Sequence, residues 1–257
     1  MILLYHHIAP PEKIPGDATR FQNEGWLCTH SPAAFEFHLS SLQKRGFRFI
    51  SLGQLVAEIQ TYGTEQPNSV VITFDDGWLD NYEFAAPILK KLGLPATVFV
   101  TTAHLPGNTP DSKRMTTAQL RELIAAGWTL GAHTQNHRDL IQISESEART
   151  EIAGSKADLE NVLGAPVDFF AYPGGAFNRQ IVRLTREAGY KAACSVLGPK
   201  ANDHSSLFWL YRSVLSPGLN TPGDRYRLSS LAQKLFSFRI TRKLNRRLNS
   251  GAFSAHE

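Results

Sequence analysis

The stretch Val70-Val71-Ile72-Thr73-Phe74-Asp75-Asp76-Gly77 ends an apolar run on two adjacent carboxylates and a glycine. Neighbouring carboxylates at the mouth of a buried strand repel each other and lose hydration unless a cation or hydrogen-bond donors compensate them. An isolated Asp-Asp-Gly is as well explained by an Asx turn or a helix cap, with Gly77 supplying the freedom at positive φ that a sharp turn needs. A second group changes the balance. His133 and His137, in "GAHTQNH", stand four residues apart at the end of another apolar run. In a helical or turn-like backbone, two such imidazoles lie on one side and can converge on one ion. Together with a strand-end carboxylate they form a candidate His-His-Asp site for Zn²⁺ or a similar divalent ion. Three protein ligands leave a position open for water, the arrangement of catalytic rather than structural zinc.

The elements that must position these residues are legible as alternating patterns. Runs rich in β-branched and apolar residues occur at 2–5, 47–50, 70–74, 96–100, 128–133, 168–172, 191–196 and 207–215. Helix-period segments lie at 31–46, where Ser31 caps and Pro32 takes the first helical position, and at 79–92, 116–126, 144–163 and 178–188. Alternating strands and helices predict parallel βαβ units, and seven or eight repeats favour a barrel over a doubly wound open sheet. Either architecture places its site at the carboxyl ends of the strands. That common address is shared by Tyr5-His6-His7, Asp75-Asp76, Thr101-Thr102, His133, Tyr172-Pro173-Gly174-Gly175 and Arg212.

A chain of 257 residues with 42% hydrophobic and 19% charged residues is long enough for one large α/β domain and is not of disordered composition. Cys28 and Cys194 are too few for a disulfide framework and form no Cys-x-x-Cys pair. The opening "MILLYHHIAPP" has no charged start, long apolar stretch or cleavage site, so no signal peptide is expected and a cytoplasmic location is, although a trimmed secreted chain would look the same. The net charge of +4 is uneven. Residues 225–249 carry eight Lys or Arg and no Asp or Glu, leaving 19 cations against 23 carboxylates elsewhere.

The ordered set "YHHI", "TFDDG", "HTQNH" and "FAYPGG" resembles the polysaccharide deacetylase family, also described as the NodB-homology or carbohydrate esterase family 4 domain. The resemblance runs over about residues 2–215 and looks closest to the exopolysaccharide and poly-N-acetylglucosamine deacetylase branch. It implies a distorted (β/α)₇-type barrel and metal-dependent hydrolysis of N-acetyl groups from amino sugars. It further implies that Asp75 is the catalytic base, that Asp76, His133 and His137 hold the metal, and that the amide of Gly174 faces the oxyanion. The expected ion is Zn²⁺, with Co²⁺, Ni²⁺ and Mn²⁺ as alternatives. The division is chemically sound, since a cation neutralises one carboxylate while its neighbour stays free to take a proton.

Two departures from the family pattern matter. The Arg that orients the catalytic Asp in the family is replaced here by Ala171, and Arg212 is the expected substitute. The late His of the family's "LxxH" motif is missing, since His204 and His256 lie in no such context, which leaves His6 as the expected proton donor. Trp78, Tyr172, Pro173, Gly175 and Trp209 are expected to line the sugar groove, although most aromatics pack in cores. The expected organisation is a single barrel over 1–220 followed by a basic amphipathic helical tail over 221–257. Residues 225–249 fit an anionic membrane surface, and no module in the chain reads as a nucleic-acid reader. The competing readings are a deformylase or another amide hydrolase on the same fold, and an inactive carbohydrate-binding barrel.

Overall fold

The computed structural model describes residues 1–13, 29–105, 113–196 and 200–214. Cys28, His256, the boundary near residue 220 and the basic segment 225–249 lie outside the described residues. Strands β1 (Ile2–Tyr5), β2 (His7–Ile8) and β3 (Thr29–His30) lead into helix α1 (Pro32–Lys44). Then come β4 (Arg48–Phe49), α2 (Leu52–Tyr62), β5 (Ser69–Phe74), α3 (Ala86–Leu92), which follows a π-helical turn over Asn81–Ala85, and β6 (Thr97–Val100). The order continues with α4 (Thr117–Ala125), β7 (Thr129–Ala132), α5 (Glu145–Leu163), β8 (Phe169–Ala171), α6 (Arg179–Glu187), β9 (Ala192–Cys194) and β10 (Arg212–Val214).

Seven strands run in the order β10-β1-β5-β6-β7-β8-β9, each pair parallel, with β4 added along the start of β5. The order turns one way round without the reversal of a doubly wound sheet. The open edges approach each other where Leu210, just before β10, bridges Cys194 of β9. Its N–H donates to the Ala193 carbonyl at 2.8 Å and its carbonyl accepts from Ser195 N–H at 2.9 Å. The result is a nearly closed parallel barrel. Its distortion shows at β7 and β8, which share one register pair, Ala132 opposite Phe170.

Period-two alternation sorts the core. Val70, Ile72 and Phe74 of β5 pack outward under the helices, whereas Val71 joins Ile2, Phe99, Phe169, Ala171, Ala192, Cys194 and Leu210 in a separate cluster. Gly131 leaves room for Phe99 there, because a Cβ at 131 would lie 2.5 Å from the Phe99 ring. Leu52, Leu55, Val56 and Ile59 of α2 pack into the same cluster. Helix α2 is an element that the strand and helix pattern above passes over. Its signals are local: Ser51 and Gln54 form a capping box, and Gly63 ends the helix at φ 83°.

The expected strand over 207–215 is shorter than its apolar composition implies. Asp203 accepts from Ser205 and Ser206 N–H and turns the chain there, Trp209 N–H donates to Ser206 at 2.8 Å, and the ladder resumes only at Arg212.

Candidate active site

Asp75 follows β5 directly and is buried, with 3% of its surface exposed. Arg212, fully buried on β10, meets it with two parallel bonds, Nη1 to Oδ1 at 2.7 Å and Nη2 to Oδ2 at 2.8 Å. The guanidinium is itself fixed by Nε donating to the Ser195 carbonyl at 2.8 Å. Burial alone would raise the Asp75 pKa, but the charge of Arg212, with His133 adding to it, holds the carboxyl below its ordinary value. Ala171, at the place where the family carries its orienting Arg, uses its carbonyl to accept from His133 Nδ1 at 2.8 Å.

That bond places the His133 proton on Nδ1 and leaves Nε2 with a lone pair facing Asp76. Burial pushes His133 down to about 4, so the ring is neutral. Asp76 Oδ1 lies 3.6 Å from His133 Nε2 and 3.4 Å from His137 Nε2. The second oxygen, Oδ2, accepts from Trp78 Nε1 at 3.1 Å. Burial would raise the Asp76 pKa, but His133, His6, His137 and Arg114 together hold it far below the usual carboxylate range.

The donor set suits a divalent cation. The ligand atoms of Asp76, His133 and His137 lie within 4.8 Å of one another. Ligand atoms bound about 2.1 Å from a tetrahedral zinc are roughly 3.4 Å apart, close to the spacing found here. One carboxylate and two neutral imidazoles form a usual zinc donor set.

Backbone strain gathers at the same place. Among the described residues, non-glycine positions with positive φ are Asn68 and three site residues: Asp76 at 74°, Thr134 at 66° and His137 at 55°. Such conformations cost on the order of 1–3 kcal/mol each and persist where the surroundings over-determine them. Arg114 donates to the Asp76 carbonyl. The "HTQNH" segment is a turn rather than a helix. His137 N–H donates to Thr134 Oγ1 at 2.9 Å, while Asn136 gives its backbone N–H and its Nδ2 to buried Glu151 at 2.8 Å each. Asp158 accepts from Thr102 Oγ1 at 2.7 Å and Gln135 Nε2 at 2.9 Å. Gln135 lies against Gly154, where a Cβ would meet its amide at 2.6 Å. Glu151, Gly154 and Asp158 thus form one face of α5 shaped to the turn. Their i, i+3, i+7 spacing was the available signal for these supporting residues. Arg114 had no local signal, because it reaches the site through a long-range bridge to Trp78.

The remaining expected residues are placed unevenly. His6 Nδ1 is buried and makes no hydrogen bond among the described residues. Both Asp75 and Asp76 feel the His6 charge, so it lies in their field. His7 is buried apart, with Nδ1 2.5 Å from Asp80 Oδ2. Gly174 is exposed at φ 58°. The short turn over Pro173–Gly175 bonds Gly175 to Tyr172 and Ala176 to Pro173, leaving the Gly174 amide outside its ladder.

Trp78, Tyr172, Pro173 and Gly175, expected to line a sugar groove, are all buried. His7 and Arg114 both pack on the Trp78 ring. Tyr172 donates its hydroxyl to the Phe208 carbonyl at 2.8 Å and stacks on Phe177. A Cβ on Gly175 would lie 2.1 Å from Val196 Cγ2, so close packing requires glycine there. Trp209 is half-buried and stacks on Phe177 with planes 9° apart.

The polysaccharide deacetylase family model matches residues 62–193. YxkH of Bacillus subtilis (strain 168) is 26% identical over 219 residues, which cover 85% of this chain and 72% of that protein. The poly-beta-1,6-N-acetyl-D-glucosamine N-deacetylase of Staphylococcus aureus (strain MSSA476) is 26% identical over 196 residues, 72% of this chain and 67% of its own. The structure of the Streptococcus pyogenes deacetylase PplD in complex with acetate superposes with a TM-score of 0.74 at 26% identity, covering 85% of this chain and 93% of that one. With a nearly closed parallel barrel that carries its carboxylates and histidines at one mouth, the chain belongs to the polysaccharide deacetylase family, hydrolases of the N-acetyl carbon–nitrogen bond.

Proposed function

We propose that this chain removes the acetyl group from an N-acetylated amino sugar of a glycan or glycan precursor, with a divalent ion, zinc first among them, held by Asp76, His133 and His137. The observation that carries this reading is the unequal treatment of two adjacent carboxylates. Asp75 is clamped by Arg212, and Asp76 is turned toward two imidazoles. When bound, such an ion polarises the acyl carbonyl and lowers the pKa of water.

The protein's own groups supply the rest. Asp75 stays ionised against Arg212 and keeps lone pairs to accept a proton from the attacking water. The amide of Gly174, an exposed residue, lies outside its turn's ladder and is suited to donate to the developing oxyanion. Burial pushes His6 below its ordinary value, which makes its protonated form a stronger acid toward the leaving amine. The half-buried Trp209, stacked on Phe177, offers an aromatic face to a sugar ring. The polymer named for the Staphylococcus aureus relative makes β-1,6-linked N-acetylglucosamine the first substrate to try.

The test combines metal analysis with acetate release from N-acetylglucosamine oligomers. Asp75→Asn is expected to lose turnover and retain metal, whereas Asp76→Ala loses both. The reverse pattern would sink the assignment, and release of formate from an N-formyl substrate in place of acetate would favour the deformylase reading. The basic segment 225–249 extends the proposal to an anionic membrane surface, which would give a cytoplasmic enzyme access to a lipid-linked glycan precursor.

A further inference from the structure

Trp78 stands next to the candidate metal ligands in sequence yet is shut away from solvent, with 4% of its surface exposed. Its indole is covered by two side chains from distant segments. The His7 ring centroid lies 4.5 Å away, and the Arg114 guanidinium carbon sits 3.3 Å from the ring centroid. His7 is anchored by Asp80, whose Oδ1 also accepts from Ile8 N–H at 3.3 Å. The segment carrying Arg114 is stapled to the loop after β5, with Leu79 N–H donating to Lys113 at 2.7 Å and Met115 N–H donating to Gly77 at 3.1 Å. From this fixed position, Trp78 Nε1 donates to Asp76 Oδ2, while Oδ1 faces His133 and His137. Arg114 also bonds the carbonyl of Asp76, whose backbone is held at φ 74°.

We infer that Trp78 is a positioning residue for the metal ligand: its indole N–H occupies Oδ2 and leaves Asp76 one oxygen, Oδ1, for the cation. Arg114 is its partner in this role. A cation over the indole face strengthens the N–H as a donor, and the bond to the Asp76 carbonyl keeps the strained backbone in place. Hydrogen bonds to a ligating carboxylate set its orientation, and their loss typically weakens metal affinity by about 10- to 100-fold. The inference rests on the metal reading proposed above, and the experiment separates the two.

Trp78→Phe keeps an aromatic ring against His7 and Arg114 and removes the donor together with part of the indole's volume. Zn²⁺ affinity would be measured by competition with a chromophoric chelator, the visible absorption of the Co²⁺-loaded protein would report its coordination, and melting of the metal-free protein would report the fold. The expected result is Zn²⁺ affinity about 10- to 100-fold weaker, an altered Co²⁺ spectrum, a metal-free protein that still melts cooperatively with only the loss that the smaller ring brings, and acetate release that recovers in excess Zn²⁺. Wild-type affinity with an unchanged Co²⁺ spectrum overturns the inference while the metal reading stands. Failure of the wild-type protein to bind either ion overturns both. If Trp78→Phe does not fold, Arg114→Met decides, since it keeps bulk on the indole and removes the charge. It is expected to bind Zn²⁺ several-fold more weakly, and an unchanged affinity overturns the inference.

Discussion

Two adjacent aspartates differ here because their partners differ. Asp75 would be an expensive buried charge without Arg212, and the guanidinium's fork matches both carboxylate oxygens in a way the point charge of lysine cannot. Arg212 is fully buried, so in the proposed reaction it would act through the orientation of Asp75. Arg212→Lys is therefore expected to keep metal content and the KM for glycan near their original values. Its kcat should fall by about 10²-fold, the cost typical of a small misplacement of a reacting group. Steady-state acetate release checks this, and an undiminished kcat would show that Asp75 needs no bidentate clamp. Arg212→Met is the harsher change. It strands a buried carboxylate, and breaking such a pair costs roughly 3–5 kcal/mol.

At the scale of elements, the site is held by helices docked on strands, and one docking contact carries a pH dependence. Helix α1 buries Phe35, His38, Leu39 and Leu42, and His38 Nδ1 meets the hydroxyl of Tyr5 on β1 at 2.7 Å. Burial, with His30 adding to it, pushes His38 down to about 4. A histidine with a depressed folded pKa contributes stability that is present above its unfolded value near 6.5 and is lost as pH falls toward about 4. Between about pH 7 and pH 5 the loss should be on the order of 2 kcal/mol. Urea melts at the two pH values would show it, and His38→Gln should reduce the difference by about that amount, with buried His133 and His6 carrying the remainder. An equal acid loss in both proteins would trace it to other groups. Helix α5 plays the parallel role for the turn that carries the candidate metal ligands, where Glu151 and Asp158 fix the donors of Asn136, Gln135 and Thr102.

For the whole molecule, charge is divided along the chain. Residues 225–249 hold eight cations, and the remainder carries 19 cations against 23 carboxylates. Attraction of about 1 kcal/mol per Lys or Arg near an anionic surface predicts that the intact protein co-sediments with phosphatidylserine-containing vesicles at low salt. A chain ending at residue 224 should stay in solution and deacetylate soluble oligomers at the same rate. Equal sedimentation of both would remove the tail from the proposal. The motifs at 75–77 and 133–137, the strand-end address they share and the repeating strand–helix order were all readable from the amino-acid sequence. Each depends on local spacing, side-chain periodicity or turn chemistry, which act over a few residues. Helix α2 was readable in the same way, from Ser51, Gln54 and Gly63, but its apolar face has no meaning until the barrel gives it something to pack against. What pairs with Asp75 is decided by register. Ile2 of β1 stands beside Val71 of β5 and Arg212 of β10 at once, so residues 137 positions apart in the chain meet across one strand. Tertiary structure also decides the burial of Trp78, which the sequence left open between a sugar groove and the core. The ring is covered by His7 and Arg114, which reach it from distant segments, and no local pattern records a contact that exists only after the chain has folded.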